Sequence, residues 1–124
     1  MKQLFRQLHL LQLQDSKFPI NAALTLMYVA LNEPCLKRDM ELALGFSTAT
    51  GSRNTDYLSK INRLRVPGRD FINKVDDPDD RRQTILTLTP KGKEFIKQLE
   101  DPAYAIQRSG WLHIQGPTVM EGKG

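Results

Sequence analysis

The sequence predicts a mainly α-helical fold of the α+β class, in which helices precede and follow one two-stranded β-hairpin. Apolar residues recur at three- and four-residue spacing in several segments of the first 64 positions, as they do on helices. Two short apolar runs, at 71–75 and 85–88, then flank a charged turn, which is typical of a hairpin. The chain has 124 residues, a length that suits a single domain over 1–124 with its own core.

Two helices are predicted before the first turn signal. Residues 1–14 form an amphipathic N-terminal helix, because Leu4, Leu8 and Leu11 fall on one stripe. A second helix follows Pro19, which suits a first helical turn. It is apolar on most sides up to Leu31, so we expect it to be central.

A helix-turn-helix is predicted over residues 36–64. A short third helix runs from Leu36 to Leu44 and stops at Gly45, where a left-handed backbone is inexpensive for glycine. Ser47 then suits the N-cap of a fourth helix that extends from Thr48 to about Leu64. Two helices joined by a short glycine-containing turn are the arrangement of helix-turn-helix proteins.

The fourth helix is rich in short hydrogen-bonding side chains and cations rather than in strong helix formers. These side-chain types reach base edges and phosphates in the major groove of DNA. The alternative is an ordinary solvated amphipathic helix. The composition of this segment taken alone favours that alternative, but the hairpin that follows it favours DNA binding. Thr48, Thr50, Ser52, Arg53 and Asn54 are among these polar and cationic residues.

The hairpin is predicted over residues 70–88 and has a charged tip. Asp77-Pro78-Asp79-Asp80 supplies turn chemistry, because proline presets φ and aspartate side chains bond their own backbone. Arg81 and Arg82 follow the turn, where a protruding hairpin can carry a cation into a groove. A hairpin placed after a helix-turn-helix is the wing of a winged-helix DNA-binding domain.

A C-terminal helix is predicted over 90–108 and a tail over 110–124. Thr89 is a suitable N-cap and Pro90 a suitable first helical residue, while Phe95 and Leu99 mark an inner face. The tail contains Trp111 and other apolar residues, and we expect it to dock through them and to fray at its end.

The charge distribution agrees with a nucleic-acid partner. The formal net charge is +4, and residues 37–93 account for it with twelve Lys and Arg against eight Asp and Glu. A basic segment attracts phosphates without reading sequence, although solvated surface explains charge alone equally well. Cys35 is the only cysteine, which excludes an internal disulfide and favours an intracellular, reducing compartment. No signal peptide or membrane span is expected.

The wing resembles that of the MarR-type winged-helix transcriptional regulators. Their pattern is Asp-x-Arg, five residues, then Leu-Thr-x-x-Gly, and this sequence matches it at Asp80, Arg82, Leu88, Thr89 and Gly92. The wider resemblance runs from about residue 22 to residue 99.

The resemblance implies a homodimeric repressor that occludes a promoter at a pseudo-palindromic site in double-stranded DNA. The fourth helix would enter the major groove, and Arg82, held by Asp80, would enter the adjacent minor groove, with Arg81 as a near substitute. The candidate DNA-binding residues of the fourth helix would be Ser47, Thr48, Thr50, Ser52, Arg53 and Asn54. Lys37 and Arg38 would lie near the DNA backbone. The dimer would form through the first and last helices, and the sequence does not identify an effector ligand. The resemblance also implies a cytoplasmic protein of a bacterium, or of the host cell if a phage or plasmid encodes the chain.

Several positions depart from the family pattern. Gly51 stands where the family usually has an aliphatic anchor, and we interpret it as permitting a close backbone approach. The segment from Leu58 to Phe71 is several residues longer than is typical, so either the recognition helix or the loop before the wing is enlarged. The last helix is shortened and is followed by the Trp111 tail.

Other functions have weaker support in the sequence. The aspartates of the turn fail the EF-hand pattern, because Pro78 takes the third loop position. His9 and His113 lack partners at metal-ligand spacing, and no phosphate loop or nucleophile motif is present, so neither a cofactor nor catalysis is expected. Cys35 is expected to be a small buried residue rather than a redox centre. The alternative function is a winged-helix protein-interaction module that binds a polymerase, a nuclease or another regulator.

Overall fold

A computed structural model describes residues 1–60 and 68–101 of the chain. The fold is mainly α-helical with a small antiparallel sheet, as predicted. In chain order its elements are α1 (Lys2–Gln14), α2 (Ile20–Asn32), β1 (Cys35–Leu36), α3 (Lys37–Leu44), α4 (Thr48–Leu58), β2 (Ile72–Asp76), β3 (Thr84–Leu88) and α5 (Pro90–Glu100).

The described residues fall into two compact units. The first contains residues 1–18 and 97–101, and the second contains residues 19–60 and 68–96. The helix-turn-helix and the complete sheet lie in the second unit. Among the residues that the structure describes, no helix has the length and apolar character needed to cross a membrane.

The predicted hairpin is confirmed, and it is part of a three-stranded antiparallel sheet of order β1-β3-β2. Strands β2 and β3 pair from Ile72 with Leu88 to Asp76 with Thr84. Strand β1 was not predicted, because two residues show no alternation of apolar and polar side chains. It moves the start of α3 from the predicted Leu36 to Lys37, since Leu36 pairs with Ile85.

The fourth helix is shorter than predicted: α4 ends at Leu58 instead of about Leu64. Its last turn receives the returning chain, because the Leu58 carbonyl accepts from Phe71 N–H at 2.7 Å and the Tyr57 carbonyl from Arg69 N–H at 3.0 Å. A helix that used these carbonyls itself would have continued. Residues 61–64, the last part of the predicted helix, lie outside the described residues, as do residues 102–108 of the predicted C-terminal helix and the tail 110–124.

Helix α2 is central in the second unit, as predicted. It contacts α3, α4 and β3, and Leu26 and Val29 are fully buried. Burying one such side chain contributes roughly 1.5–3 kcal/mol to folding. The other buried apolar residues of this unit include Met40, Leu58, Phe71, Ile72, Leu86, Leu88 and Phe95.

The junction between the wing and α5 confirms the predicted cap. The Thr89 hydroxyl oxygen accepts from Gly92 N–H at 2.9 Å and the hydroxyl donates to the Asp70 carbonyl at 2.6 Å. Gly92 packs so closely on the Phe71 carbonyl that an added Cβ would lie 2.0 Å from its oxygen. This contact explains physically why the motif ends in glycine.

In the first unit, α1 caps the C-terminal end of α5 with a buried cation. Arg6 is only 1% exposed, and its guanidinium donates to the carbonyls of Gln98, at 2.8 Å, and Leu99. Burial lowers the pKa of Arg6, and the charge of Asp101 opposes that shift. Helix C-terminal carbonyls lack intrahelical partners, and Arg6 supplies donors to two of them, while the Gln7 amide also donates to the Leu99 carbonyl at 3.1 Å.

Candidate nucleic-acid interface

The turn of the helix-turn-helix has the predicted stop and start. Gly45 adopts a left-handed conformation with φ of 69°, which glycine reaches at little cost. The Phe46 N–H donates to the Glu41 carbonyl at 2.8 Å, and this bond satisfies the end of α3. Ser47 then caps α4, because its Oγ accepts from Thr50 N–H at 3.1 Å.

One face of α4 is open to solvent and carries short or cationic side chains. Ala49, Ser52, Arg53 and Asp56 follow the i, i+3, i+4, i+7 spacing of one helix face, and Ala49 and Arg53 are exposed while the other two are half-buried. Ala49 was not among the predicted DNA-binding residues, although its helical spacing places it on the same face of α4 as Ser52 and Arg53. A methyl group at this position has the chemistry to contact the thymine methyl.

The opposite face of α4 is buried and includes one of the predicted DNA-binding residues. Asn54 is 8% exposed and its amide donates to the Thr50 carbonyl at 2.9 Å. Gly51, Thr55 and Leu58 lie on the same side and are also buried. Asn54 therefore packs in the protein interior, whereas Ser47 and Thr48 are exposed.

Arg53 extends along the first turns of α4. Its Nη2 donates to the Thr50 hydroxyl oxygen at 3.1 Å, and that hydroxyl is also within hydrogen-bond distance of Ser47 Oγ at 3.1 Å. The N-cap and the predicted base-reading cation therefore belong to one hydrogen-bonded chain. Thr50 is half-buried, and its hydroxyl links the Ser47 and Arg53 side chains.

The tip of the wing is organised by aspartate side chains, as predicted. Asp77 Oδ1 accepts from Asp79 N–H at 2.9 Å, and the Asp77 carbonyl accepts from Asp80 N–H at 3.2 Å. Asp80 Oδ1 accepts from Arg82 N–H at 3.1 Å, which turns the chain toward β3. The turn is thus held by its own side chains, in the manner of Asx turns.

Asp80 also fixes the side chain of Arg82. The guanidinium donates from Nε to Asp80 Oδ1 at 3.1 Å and from Nη2 to Oδ2 at 3.3 Å, while the Arg82 side chain remains 91% exposed. The hydrogen bonds from Arg82 hold the pKa of Asp80 below its usual range. The result is a forked cation, oriented by a carboxylate and presented to solvent. Arg81, next to it, is also exposed.

The two predicted cations of α3 differ in their surroundings. Arg38 is exposed, whereas the Lys37 side chain is 13% exposed and forms an ion pair with Glu41. Both cations, with Glu41, Thr48 and Arg82, line an open polar cleft of about 430 Å³. The wing, α3 and the start of α4 therefore meet at one surface.

A second ion pair connects the wing to the outer part of α4. Lys74 Nζ, on β2, lies 2.6 Å from Asp56 Oδ1. This pair was not predicted, because its partners are 18 positions apart in the sequence. The Lys74 ammonium therefore places a positive charge against the Asp56 carboxylate, beside Ser52 and Arg53.

Other kinds of site find little support in the described part of the chain. It contains no cluster of three or more His, Cys, Asp or Glu able to hold a metal ion. Cys35 is half-buried in β1, and burial raises the pKa of its thiol, with Asp39 and Glu33 adding to the shift. A raised pKa disfavours the reactive thiolate.

Comparison with solved structures identifies the fold. The chain superimposes with a TM-score of 0.63 and 18% identity on RV1404 from Mycobacterium tuberculosis, covering 93% of this chain and 71% of that one. The repressor CouR, solved bound to a 23-mer DNA duplex, gives a TM-score of 0.60 and 20% identity over 86% of this chain and 66% of its own. MarR gives 0.55 and 19% over 77% and 61%.

These similarities show that the chain has the winged-helix fold of the MarR-type transcriptional regulators. No protein-family model matches the sequence, and a search of curated proteins finds no match either.

Proposed function

We propose that this chain is a sequence-specific regulator of transcription that binds double-stranded DNA as a homodimer and represses by occluding a promoter. The observation that carries the proposal is the pairing, within one compact unit, of an open α4 face with a wing whose exposed Arg82 is held by Asp80. The whole chain, 1–124, would act as one winged-helix domain. CouR shares the fold and was solved bound to a DNA duplex, which supports DNA as the proposed partner.

The proposed role of α4 is direct reading of the major groove. An α-helix fits that groove, where each base pair displays a distinct set of donors, acceptors and methyl groups. Arg53 can bond the O6 and N7 acceptors of guanine, Ser52 can donate or accept, and Ala49 can contact a thymine methyl. Ser47 and Thr48 lie at the N-terminus of α4, where hydroxyl and N–H groups suit phosphate contacts.

The proposed role of Arg82 is indirect reading of the minor groove. A narrow minor groove concentrates negative potential and attracts an inserted arginine, so Arg82 would sense groove width more than base identity. Asp80 restricts the side chain in advance, which reduces the conformational entropy lost on binding. Arg38 and Arg81 would contact phosphates, and their exposure supports this role.

The homodimer is supported by an exposed apolar face on α1. Leu4, Phe5 and Leu8 are 51%, 45% and 48% exposed, and their spacing places them on one side of the helix. A contiguous exposed apolar stripe of this kind is typical of a protein–protein interface. A two-fold dimer would present two copies of α4 to two half-sites about one helical turn of DNA apart.

The proposal is tested by binding purified protein to a randomised duplex library at two salt concentrations and sequencing the bound fraction. An enriched inverted repeat is the expected result, and it would supply the operator. Binding that shows no enrichment and vanishes with salt would reject sequence-specific recognition. If the protein also captured a stable protein partner in the absence of DNA, the alternative of a protein-interaction module would be favoured.

Two arginine variants then separate the two grooves. Arg82→Ala is expected to weaken binding on all duplexes and to reduce the slope of log K against log salt by about one unit, because one phosphate-region cation is lost. Arg53→Ala should also relax base preference at one position in each half-site, by roughly 1–3 kcal/mol. Unchanged affinity in both variants would contradict the proposed interface.

A further inference from the structure

The contact between α3 and α4 contains an ion pair beside a glycine. Lys37 Nζ donates to Glu41 Oε2, and the two side chains are 13% and 11% exposed. Gly51 is buried in α4, and a Cβ added to it would lie 2.0 Å from Glu41 Oε2 and 2.6 Å from Glu41 Cδ. The carboxylate of Glu41 therefore occupies the space that a side chain at position 51 would fill.

Neither partner of this arrangement is favoured by stability alone. A largely buried ion pair loses hydration on folding and is often no better than an apolar pair of the same shape. A glycine inside a helix costs about 1 kcal/mol relative to alanine. The two features are coupled, because the observed conformation of the Glu41 side chain requires a residue without a Cβ at position 51. Together they set how closely α3 and α4 approach.

The position of the cluster relates it to recognition. Gly51 immediately precedes Ser52 and Arg53, which lie on the open face of α4, and its N–H donates to the Ser47 carbonyl at 2.9 Å in the first turn. The Glu41 carboxylate therefore packs against the turn of α4 that carries Ser52 and Arg53. The Lys37 ammonium is engaged with Glu41 at the same time.

We infer that Lys37, Glu41 and Gly51 form a positioning cluster that sets the placement of α4 for base reading, and that Lys37 acts through α4 rather than by contacting phosphate. This inference rests on the proposed DNA-binding function and deepens it. It also replaces the expectation that Lys37 and Arg38 both lie along the DNA backbone. Arg38 keeps that role, and Lys37 becomes a positioning residue.

Salt dependence distinguishes the two roles of Lys37. A lysine that neutralises a phosphate releases counterions, so its removal lowers the slope of log K against log salt by about 0.9. A lysine bound internally to Glu41 releases none. Its removal leaves an uncompensated carboxylate against α4, which should lower the ratio of specific to non-specific affinity without changing the slope.

The variants are Lys37→Met, which breaks the pair, and Lys37→Met with Glu41→Gln, which makes both partners neutral and keeps their shapes. Removing both charges of a buried pair is far less disruptive than removing one. We expect the single variant to lose about tenfold in specificity ratio, the usual size of one coupled contact, and the double variant to recover most of it. Arg38→Ala is the matched control, an exposed neighbouring cation whose loss should lower the slope.

The experiment measures fluorescence anisotropy of the full chain on an enriched duplex and on its scrambled version, between 50 and 200 mM salt, concentrations that span the steep range of protein–DNA binding. A lower specificity ratio in Lys37→Met, at unchanged slope and with rescue by Glu41→Gln, would support the inference. A slope reduced by about one with no rescue would overturn it. If Lys37→Met does not fold, the double variant decides, because its slope must equal that of the unchanged chain. An unchanged chain that does not distinguish the two duplexes would instead reject the proposed function, and the inference with it.

Discussion

Replacing Gly92 by alanine tests the junction between the wing and α5. At an open helical site this substitution stabilises a protein by about 1 kcal/mol, because alanine has the higher helix propensity. Here the new Cβ would meet the Phe71 carbonyl oxygen at 2.0 Å, well inside van der Waals contact. The oxygen belongs to the backbone, so neither side-chain rotation nor a small adjustment relieves the overlap.

The magnitude follows from what must move. Phe71 O accepts from Thr89 N–H at 3.0 Å, and the Phe71 ring stacks on Phe95 with centroids 4.8 Å apart. Loss of one such hydrogen bond costs about 1 kcal/mol, and overpacking a core costs roughly 1–3 kcal/mol. After the gain in propensity is subtracted, we expect Gly92→Ala to lower the free energy of unfolding by about 2 kcal/mol and Tm by roughly 5–10 °C.

Urea denaturation followed by circular dichroism measures this free energy directly. Lys93→Ala is the matched control, because Lys93 is exposed on the same helix and its replacement should change stability by less than about 0.5 kcal/mol. A Gly92→Ala variant that is about 1 kcal/mol more stable than the unchanged chain would refute the reasoning, since it would show that the junction has room for a Cβ.

Two further predictions concern Arg6 and Asp80. Arg6→Met removes the guanidinium donors to the Gln98 and Leu99 carbonyls, and it should lower the free energy of unfolding in urea by roughly 2–4 kcal/mol. The control is Lys2→Met, at an exposed site of the same helix, which should leave this free energy unchanged. Equal effects of the two substitutions would contradict the capping role of Arg6. Because Arg82 lowers the pKa of Asp80, the contact between them is present above that pKa and is lost as the pH falls through it. Arg82→Ala should therefore raise the pKa of Asp80 toward its usual value in a carboxyl NMR titration. An unchanged titration midpoint would show that the side-chain hydrogen bonds do not form in solution.

The sequence predicted the elements whose signals are local. Gly45 and Ser47 predicted the turn between α3 and α4, and Thr89 predicted the start of α5, because helix C-terminal glycines and N-caps act on only a few neighbouring residues. The aspartates of the wing tip likewise bond their own backbone. Each of these features is caused by residues that are close to it in the sequence, so local sequence patterns predict it.

The features that sequence reasoning missed depend on distant partners. The early end of α4 follows from its last carbonyls accepting from Arg69 and Phe71, which lie beyond the helix. The burial of Arg6 depends on carbonyls more than 90 positions away. The close approach expected at Gly51 was correct in kind, but the group that approaches is the Glu41 side chain, and no local pattern identified it.

Methylation interference on the enriched duplex would test the central claim most directly. Dimethyl sulfate modifies guanine N7 in the major groove and adenine N3 in the minor groove, so one assay reports on both grooves. If α4 and Arg82 divide the grooves as proposed, both modifications will interfere with the unchanged chain, and Arg82→Ala will lose only the minor-groove interference. Interference confined to one groove in the unchanged chain, or loss of the major-groove signal in Arg82→Ala, would contradict the account.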